Sequence, residues 1–302
     1  MTAPGDGSRP ALAFLGLGAL GAPMAANLAR AGFPLTLCNR TAERCRALIA
    51  DLQPSMLSTV GVAAEPAEAA AAAAIICLCL SDDAAVEAVL AAAAPGLRPG
   101  SLVIDFSTIA PATSCQAAAR LADHGVAYID APVTGGTEGA AAGTLSVLVG
   151  AMAQDLQRAR PVLEVVGQRI SHFGPVGAGQ QAKAVNQVLV AGSYAAVAEA
   201  LALGQRLGLP MERVVEALGV GAAGSWALEN RSAGMLRGEF PLGFRLRLHR
   251  KDLAIALDSA AACGLQLPVG ALVAQLEDSL IERGHGDEDV SALARLFQPP
   301  GA

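Results

Sequence analysis

Two lysines stand among nineteen arginines in this chain, Lys183 in GAGQQAKAVNQ and Lys251 in FRLRLHRKDLAIAL. Arginine stays protonated in proteins, whereas a lysine amine can be brought toward neutrality by burial or neighbours and can then donate and retake a proton. Both positions therefore suit acid–base work that arginine would not serve. A second constellation is Gly16, Gly18 and Gly21 in FLGLGALGAPMAANLARAG, a G-x-G-x-x-G series after a strand-like run and at a helix start. The first glycine allows a tight turn, the second lets a pyrophosphate approach the backbone, and the third permits close helix packing. About twenty residues on, where an acidic residue would grip the ribose of NAD, the chain reads Asn39-Arg40-Thr41. A guanidinium there suits a 2′-phosphate; the alternative is a solvated turn arginine.

These residues must be positioned by elements that the hydrophobic pattern outlines. ALAFLG, PLTLCN, AAIICLCL, SLVIDF and VAYIDA read as strands separated by Ala-rich stretches long enough for crossover helices. The alternation implies an α/β fold with a Rossmann-type, doubly wound parallel sheet over residues 1–175. After TLSVLVGA and RISHFG strand signals cease, so residues 176–302 are expected to form an all-helical domain. It would begin with a helix over 180–207, apolar enough to be enclosed by its neighbours. Further helices are expected over 211–218, 251–263 and 269–283, with Trp226 in the loop-like AAGSWALEN.

Composition narrows the function classes. A formal net charge of -6 gives no footprint for a phosphate polymer, which argues against nucleic acid. Neither the six cysteines nor the four histidines show metal-ligand spacing, so no metal is expected; the cysteines read as small core residues of a reducing compartment. The apolar run 11–29 imitates a signal peptide, but its glycines and Pro23 suit a strand, turn and helix start better. The run 69–80 is too short to span a bilayer. A soluble, cytoplasmic protein without membrane contact is the expectation.

The glycine motif, DFSTIAP (105–111), DAPVTGGTEGAAAGTLSVLVG (130–150), GAGQQAKAVNQ (177–187) and HRKDLAIA (249–256) together resemble the β-hydroxyacid dehydrogenases, in order and over nearly the whole chain. Within that family GTLSVLVG, KAVNQ and FRLRLHRKDL are most similar to the tartronate semialdehyde reductases, and the NRT triplet to the NADPH-using semialdehyde reductases. The resemblance implies reduction of a small carbonyl acid with hydride from nicotinamide, and it makes Lys183 the general acid. Asn186 and Gln187, within one helical turn of Lys183, would orient the ammonium or the substrate oxygen. Relatives often carry asparagine where Gln187 stands, and serine where Thr134 stands.

The resemblance further places the substrate carboxylate against Thr134-Gly135-Gly136, where glycines let backbone N–H groups point at an anion. The other reading of that segment is a plain Gly-rich turn. It implies Phe244 and Asp252 at the substrate, and Lys251 and Asp252 at the start of a helix whose first turn closes over the nicotinamide. An acid in a first helical turn is favourable on its own account. Leu17, Leu20, Leu80, Ser81 and Thr108 complete the implied cofactor set. NADP(H) is the expected cofactor, with NAD(H) possible, and a homodimer or homotetramer the expected assembly. Glyoxylate/succinic semialdehyde reductase and 3-hydroxyisobutyrate dehydrogenase are alternative activities. An imine reductase would usually lack the lysine, and a non-catalytic dinucleotide module would have lost Lys183 or the Thr134 turn.

Overall fold

The residues LAFL make strand β1 (Leu12–Leu15), and all four are buried, as a parallel strand covered on both faces requires. The computed structural model describes residues 9–297. After β1 come α1 (Gly21–Arg30), β2 (Leu35–Cys38), α2 (Ala42–Ala50), β3 (Val60–Val62), α3 (Pro66–Ala71), β4 (Ile75–Leu78), α4 (Asp83–Ala93), β5 (Leu102–Asp105), α5 (Pro111–Ala122) and β6 (Ala127–Asp130). Next are β7 (Val133–Thr134), α6 (Gly136–Ala142), β8 (Leu145–Gly150), α7 (Ala153–Val166) and β9 (Gly167–Gly174). Helices alone follow: α8 (Ala178–Arg206), α9 (Met211–Gly219), α10 (Trp226–Arg237), α11 (Leu246–Ala262) and α12 (Pro268–Glu282), with a closing 3-10 segment, Val290–Phe297.

The sheet order is β3-β2-β1-β4-β5-β6-β8-β7, with β9 beside β8. Strands β1 to β6 are parallel, β8 runs antiparallel to β6 and β7, and β9 is parallel to β8. This is a Rossmann-type sheet with a mixed edge. Alternate strand residues feed two cores. Phe14, Leu37, Cys77 and Ile104 pack with α1, α2 and α7, whereas Ala13, Ile76 and Val103 pack with α3, α4 and α5. Period-two alternation thus covers both faces with helices.

The chain divides between Lys183 and Ala184, inside α8, into two compact units. The second unit has its own core, built from Ala191, Tyr194, Leu201, Leu228, Leu253 and Val273 among others. Four expectations need correction. Trp226 opens helix α10 instead of lying in a loop, because the Ser225 side chain accepts from the Leu228 N–H at 3.1 Å and supplies the cap that starts it. Helix α11 begins at Leu246, five residues before Lys251, so Lys251 and Asp252 lie in its second turn. Its first turn is basic, against the helix dipole, but Arg247 pairs with Asp287 at 2.8 Å and Arg250 with Asp278 at 2.8 Å, which offsets that repulsion. Finally, α8 is not enclosed: Val185, Leu189, Ala196, Ala200 and Leu203 form one exposed face, and Leu189 is 70% exposed. Cys115 and Cys263 are likewise exposed, while Cys38, Cys45 and Cys77 are buried.

Candidate active site

At the carboxyl end of β1 the backbone turns at Gly16 with φ of +100°, and a Cβ there would press into the Cys79 carbonyl. A Cβ on Gly21 would strike the Gly16 carbonyl, so α1 can start this close to the turn only without one. Nothing lies within 4 Å of a Cβ built on Gly18, which leaves the backbone open to a ligand. Turn, close packing and open approach fit a dinucleotide pyrophosphate at the α1 N-terminus. Asn39 braces the turn: its Oδ1 accepts from the Leu17 N–H at 2.9 Å, and its Nδ2 donates to the Thr41 carbonyl at 2.9 Å. Arg40 and Thr41 are exposed beside it, and Leu20 is half-buried. Arg44, which the sequence reading missed, donates to the Leu17 carbonyl at 3.2 Å and adds a second guanidinium to the same turn. Its position in the first turn of α2, four residues after Arg40, was the available signal.

The loops after β4 and β5 meet beside this turn. The Leu80 N–H donates to Ser107 Oγ at 2.9 Å, and Ser107 N–H donates to Asp105 Oδ1 at 2.9 Å. Ser81 is exposed and donates to Asp82 at 2.7 Å; Thr108 is half-buried. Asp105 also accepts from the Tyr128 hydroxyl at 2.8 Å. Burial pushes the Asp105 carboxyl up to about 6, with those hydrogen bonds opposing and the Asp130 charge adding to it.

Lys183 lies in the second turn of α8 and is 6% exposed. The helix start is fixed by Asp130, at the end of β6. Its two oxygens accept from the Gly177 N–H at 2.7 Å and the Gln180 N–H at 2.8 Å, satisfying N–H groups that a helix start leaves orphaned. Burial pushes Asp130 upward too, opposed by those backbone donors. In the same unit Gly135 and Gly136 have φ of 133° and 65°, conformations that L side chains rarely adopt. Gly135 precedes α6, and Thr134 pairs with Ser146 across β7 and β8. The segment therefore offers backbone donors at a short helix start together with a half-buried threonine hydroxyl.

Asn186 and Gln187 follow one turn beyond Lys183 on α8. Gln187 is 1% exposed; its Oε1 accepts from Asn186 Nδ2 at 2.6 Å and its Nε2 donates to Asp252 Oδ2 at 2.7 Å. The other Asp252 oxygen pairs with Lys251 Nζ at 2.8 Å. Asn186, Gln187, Asp252 and Lys251 thus form one chain of polar contacts, and Gln187 has both ends of its amide engaged within it. Phe244 is half-buried; its N–H donates to Asp289 Oδ2 at 2.9 Å, and its ring stands edge-on to His249, centroids 5.8 Å apart. Asp289, missed in the sequence, also accepts from the Gly243 N–H and Ser291, so it holds the approach to α11. Among the described residues no group of three His, Cys, Asp or Glu side chains is arranged to hold a metal ion.

Residues 11–174 match the family model of the NAD binding domain of 6-phosphogluconate dehydrogenase, and residues 177–297 that of the NAD-binding domain of NADP-dependent 3-hydroxyisobutyrate dehydrogenase. The chain is 36% identical over 300 residues to the NAD-dependent L-serine dehydrogenase of Pseudomonas aeruginosa, covering 95% of this chain and 98% of that one. It is 36% identical over 291 residues to the 2-hydroxy-3-oxopropionate reductase of Escherichia coli, covering 95% and 97%. Among solved structures it resembles Mycobacterium tuberculosis 3-hydroxyisobutyrate dehydrogenase with L-serine, with a TM-score of 0.85, 33% identity and coverage of 96% and 99%.

Proposed function

The chain belongs to the β-hydroxyacid dehydrogenase family, as an NAD(P)-dependent oxidoreductase acting on CH–OH groups, and from that premise we propose that it is an NADPH-preferring reductase of a short carbonyl acid of the tartronate semialdehyde type. In reverse it acts as a 3-hydroxyacid dehydrogenase. The observation that carries this reading is Lys183: a buried lysine in the second turn of α8, on a helix whose first turn is anchored by Asp130.

NADPH, when bound, supplies the hydride. Gly16, Leu17, Gly18, Leu20 and Gly21 hold its pyrophosphate, Arg40 with Asn39 and Thr41 its 2′-phosphate end, and Leu80, Ser81, Thr108 and Lys251 the remainder. Lys183 gives a proton to the substrate oxygen in reduction and takes it back in oxidation. Asn186 and Gln187 orient that exchange through the polar chain to Asp252. Thr134, Gly135 and Gly136 bind the substrate carboxylate, and Phe244 and Asp252 line its site.

A second reading, favoured by the names of the serine dehydrogenase and of the solved 3-hydroxyisobutyrate dehydrogenase with L-serine, is oxidation of a 3-hydroxyacid as the working direction. A panel of tartronate semialdehyde, succinic semialdehyde, glyoxylate, 3-hydroxyisobutyrate and L-serine with both cofactors separates the two. The highest kcat/KM for tartronate semialdehyde with NADPH supports the first; a higher value for a hydroxyacid contradicts it. The protein acts in the cytoplasm, away from membranes and nucleic acid. By length and composition α8 could span a bilayer, its most apolar 18-residue stretch having a mean hydropathy of 1.4, but its exposed apolar face fits a second copy of this chain in a homodimer or homotetramer. Light scattering of wild type and Leu189→Glu tests that assembly.

A further inference from the structure

Gln180 lies in the first turn of α8 with only 1% of its surface exposed. Both ends of its side-chain amide go to one turn, the Ser107–Ile109 segment after β5. Nε2 donates to the Ser107 carbonyl at 2.8 Å, and Oε1 accepts from the Ile109 N–H at 3.3 Å. The two contacts straddle Thr108. Ser107 is held from its other side by the Leu80 N–H, so the turn is tied both to the loop after β4 and to the helix.

The helix end of this tie is equally constrained. The Gln180 N–H donates to Asp130, and two glycines close around that carboxylate: a Cβ on Gly179 would lie 2.8 Å from Asp130 Oδ2, and one on Gly150 would press into Oδ1. Lys183 is three residues beyond Gln180 and so on the same helical face. The amide supplies the required pair of functions, a donor toward a carbonyl and an acceptor toward an N–H, in one planar group at any pH, which a carboxyl group does only when protonated. Leucine has neither. A glutamate carboxylate keeps the acceptor but sets negative charge against the Ser107 carbonyl.

Resting on the reading in which Thr108 belongs to the cofactor site and Lys183 donates the proton, we propose that Gln180 is a positioning residue. It locks the Ser107–Ile109 turn to the helix that carries Lys183, so that the cofactor-binding turn and the proton donor keep one fixed spacing. Displacement of reacting groups by about 1 Å can cost on the order of a hundredfold in rate, which sets the scale of the effect.

The test uses the full chain with Gln180→Leu and Gln180→Glu. Three quantities are read: amide hydrogen exchange over residues 106–110, NADPH affinity by fluorescence titration, and kcat. Gln180→Leu should quicken exchange at Ile109 and lower kcat by about tenfold or more while shifting NADPH affinity far less. Gln180→Glu should recover kcat relative to wild type as pH falls, because the protonated acid again donates to the Ser107 carbonyl and burial favours that form. The glutamate variant, matched in size, carries the test if the leucine variant does not fold. Unchanged exchange, or unchanged kcat despite faster exchange, overturns the proposal. Lys183→Ala keeps the two claims apart. If it retains turnover the donor reading falls, while faster exchange with lowered kcat in Gln180→Leu still supports the placement of Thr108.

Discussion

Asp105 and Asp130 are register partners across β5 and β6, and both are 0% exposed. Two carboxylates are thereby buried side by side at the end of the sheet from which the cofactor loops leave. Asp105 bears the larger consequence, its carboxyl raised by burial from 3.8 to about 6. A carboxyl that holds its proton more tightly in the fold than in the unfolded chain favours the native state below about pH 4, and that contribution is lost as pH rises through about 6. The difference corresponds to about 3 kcal/mol. Asp105→Asn removes the ionisation, so the variant's melting temperature relative to wild type should improve between pH 5 and pH 8. A difference that stays constant across that range contradicts the assignment.

Arg40 is exposed next to the Asn39-braced glycine turn. A charge-assisted contact with a 2′-phosphate contributes about 1.5 to 3 kcal/mol, so NADPH should be preferred over NADH by roughly ten- to a hundredfold. Arg40→Asp should reverse that preference. Equal kcat/KM with the two cofactors in the wild type removes this role for Arg40.

Gly135 combines φ of +133° with a would-be Cβ only 3.1 Å from Leu145 Cδ2. Gly135→Ala should keep NADPH binding but lose at least about tenfold in kcat/KM for a carboxylate substrate, about 1.4 kcal/mol, and less for a neutral aldehyde. Equal losses for both substrates would make the turn structural only.

Asp252 and Gln187 are 3% and 1% exposed and joined at 2.7 Å. Asp252→Leu strands the Gln187 amide, at a cost of about 1 to 3 kcal/mol in stability, whereas Asp252→Asn should lose less. Denaturant unfolding of the two variants checks the order, and identical midpoints contradict it.

The parallel sheet was legible because its strands are short apolar runs bounded by glycine and polar residues, and β1, β4 and β5 bury every residue. The glycine turn was legible because its chemistry is local. What the sequence hid depends on distant partners. Asp130 meets Gln180 across 50 residues and Gln187 meets Asp252 across 65, so neither pairing leaves a local spacing to read. The start of α11 was misplaced because its early basic residues find acids elsewhere in the chain, and α10 was missed because one serine cap supplies its start. The exposed face of α8 was unreadable for a related reason: apolar composition does not state whether the chain itself supplies the cover.

Turnover with Lys183 replaced tests the central claim most directly. Lys183→Ala and Lys183→Arg, assayed with NADPH and tartronate semialdehyde, should each lose roughly a hundredfold or more in kcat while fluorescence titration shows NADPH binding nearly intact. Arginine keeps the charge but cannot release a proton near neutrality. A Lys183→Arg variant with wild-type kcat would contradict the assignment of Lys183 as the proton donor.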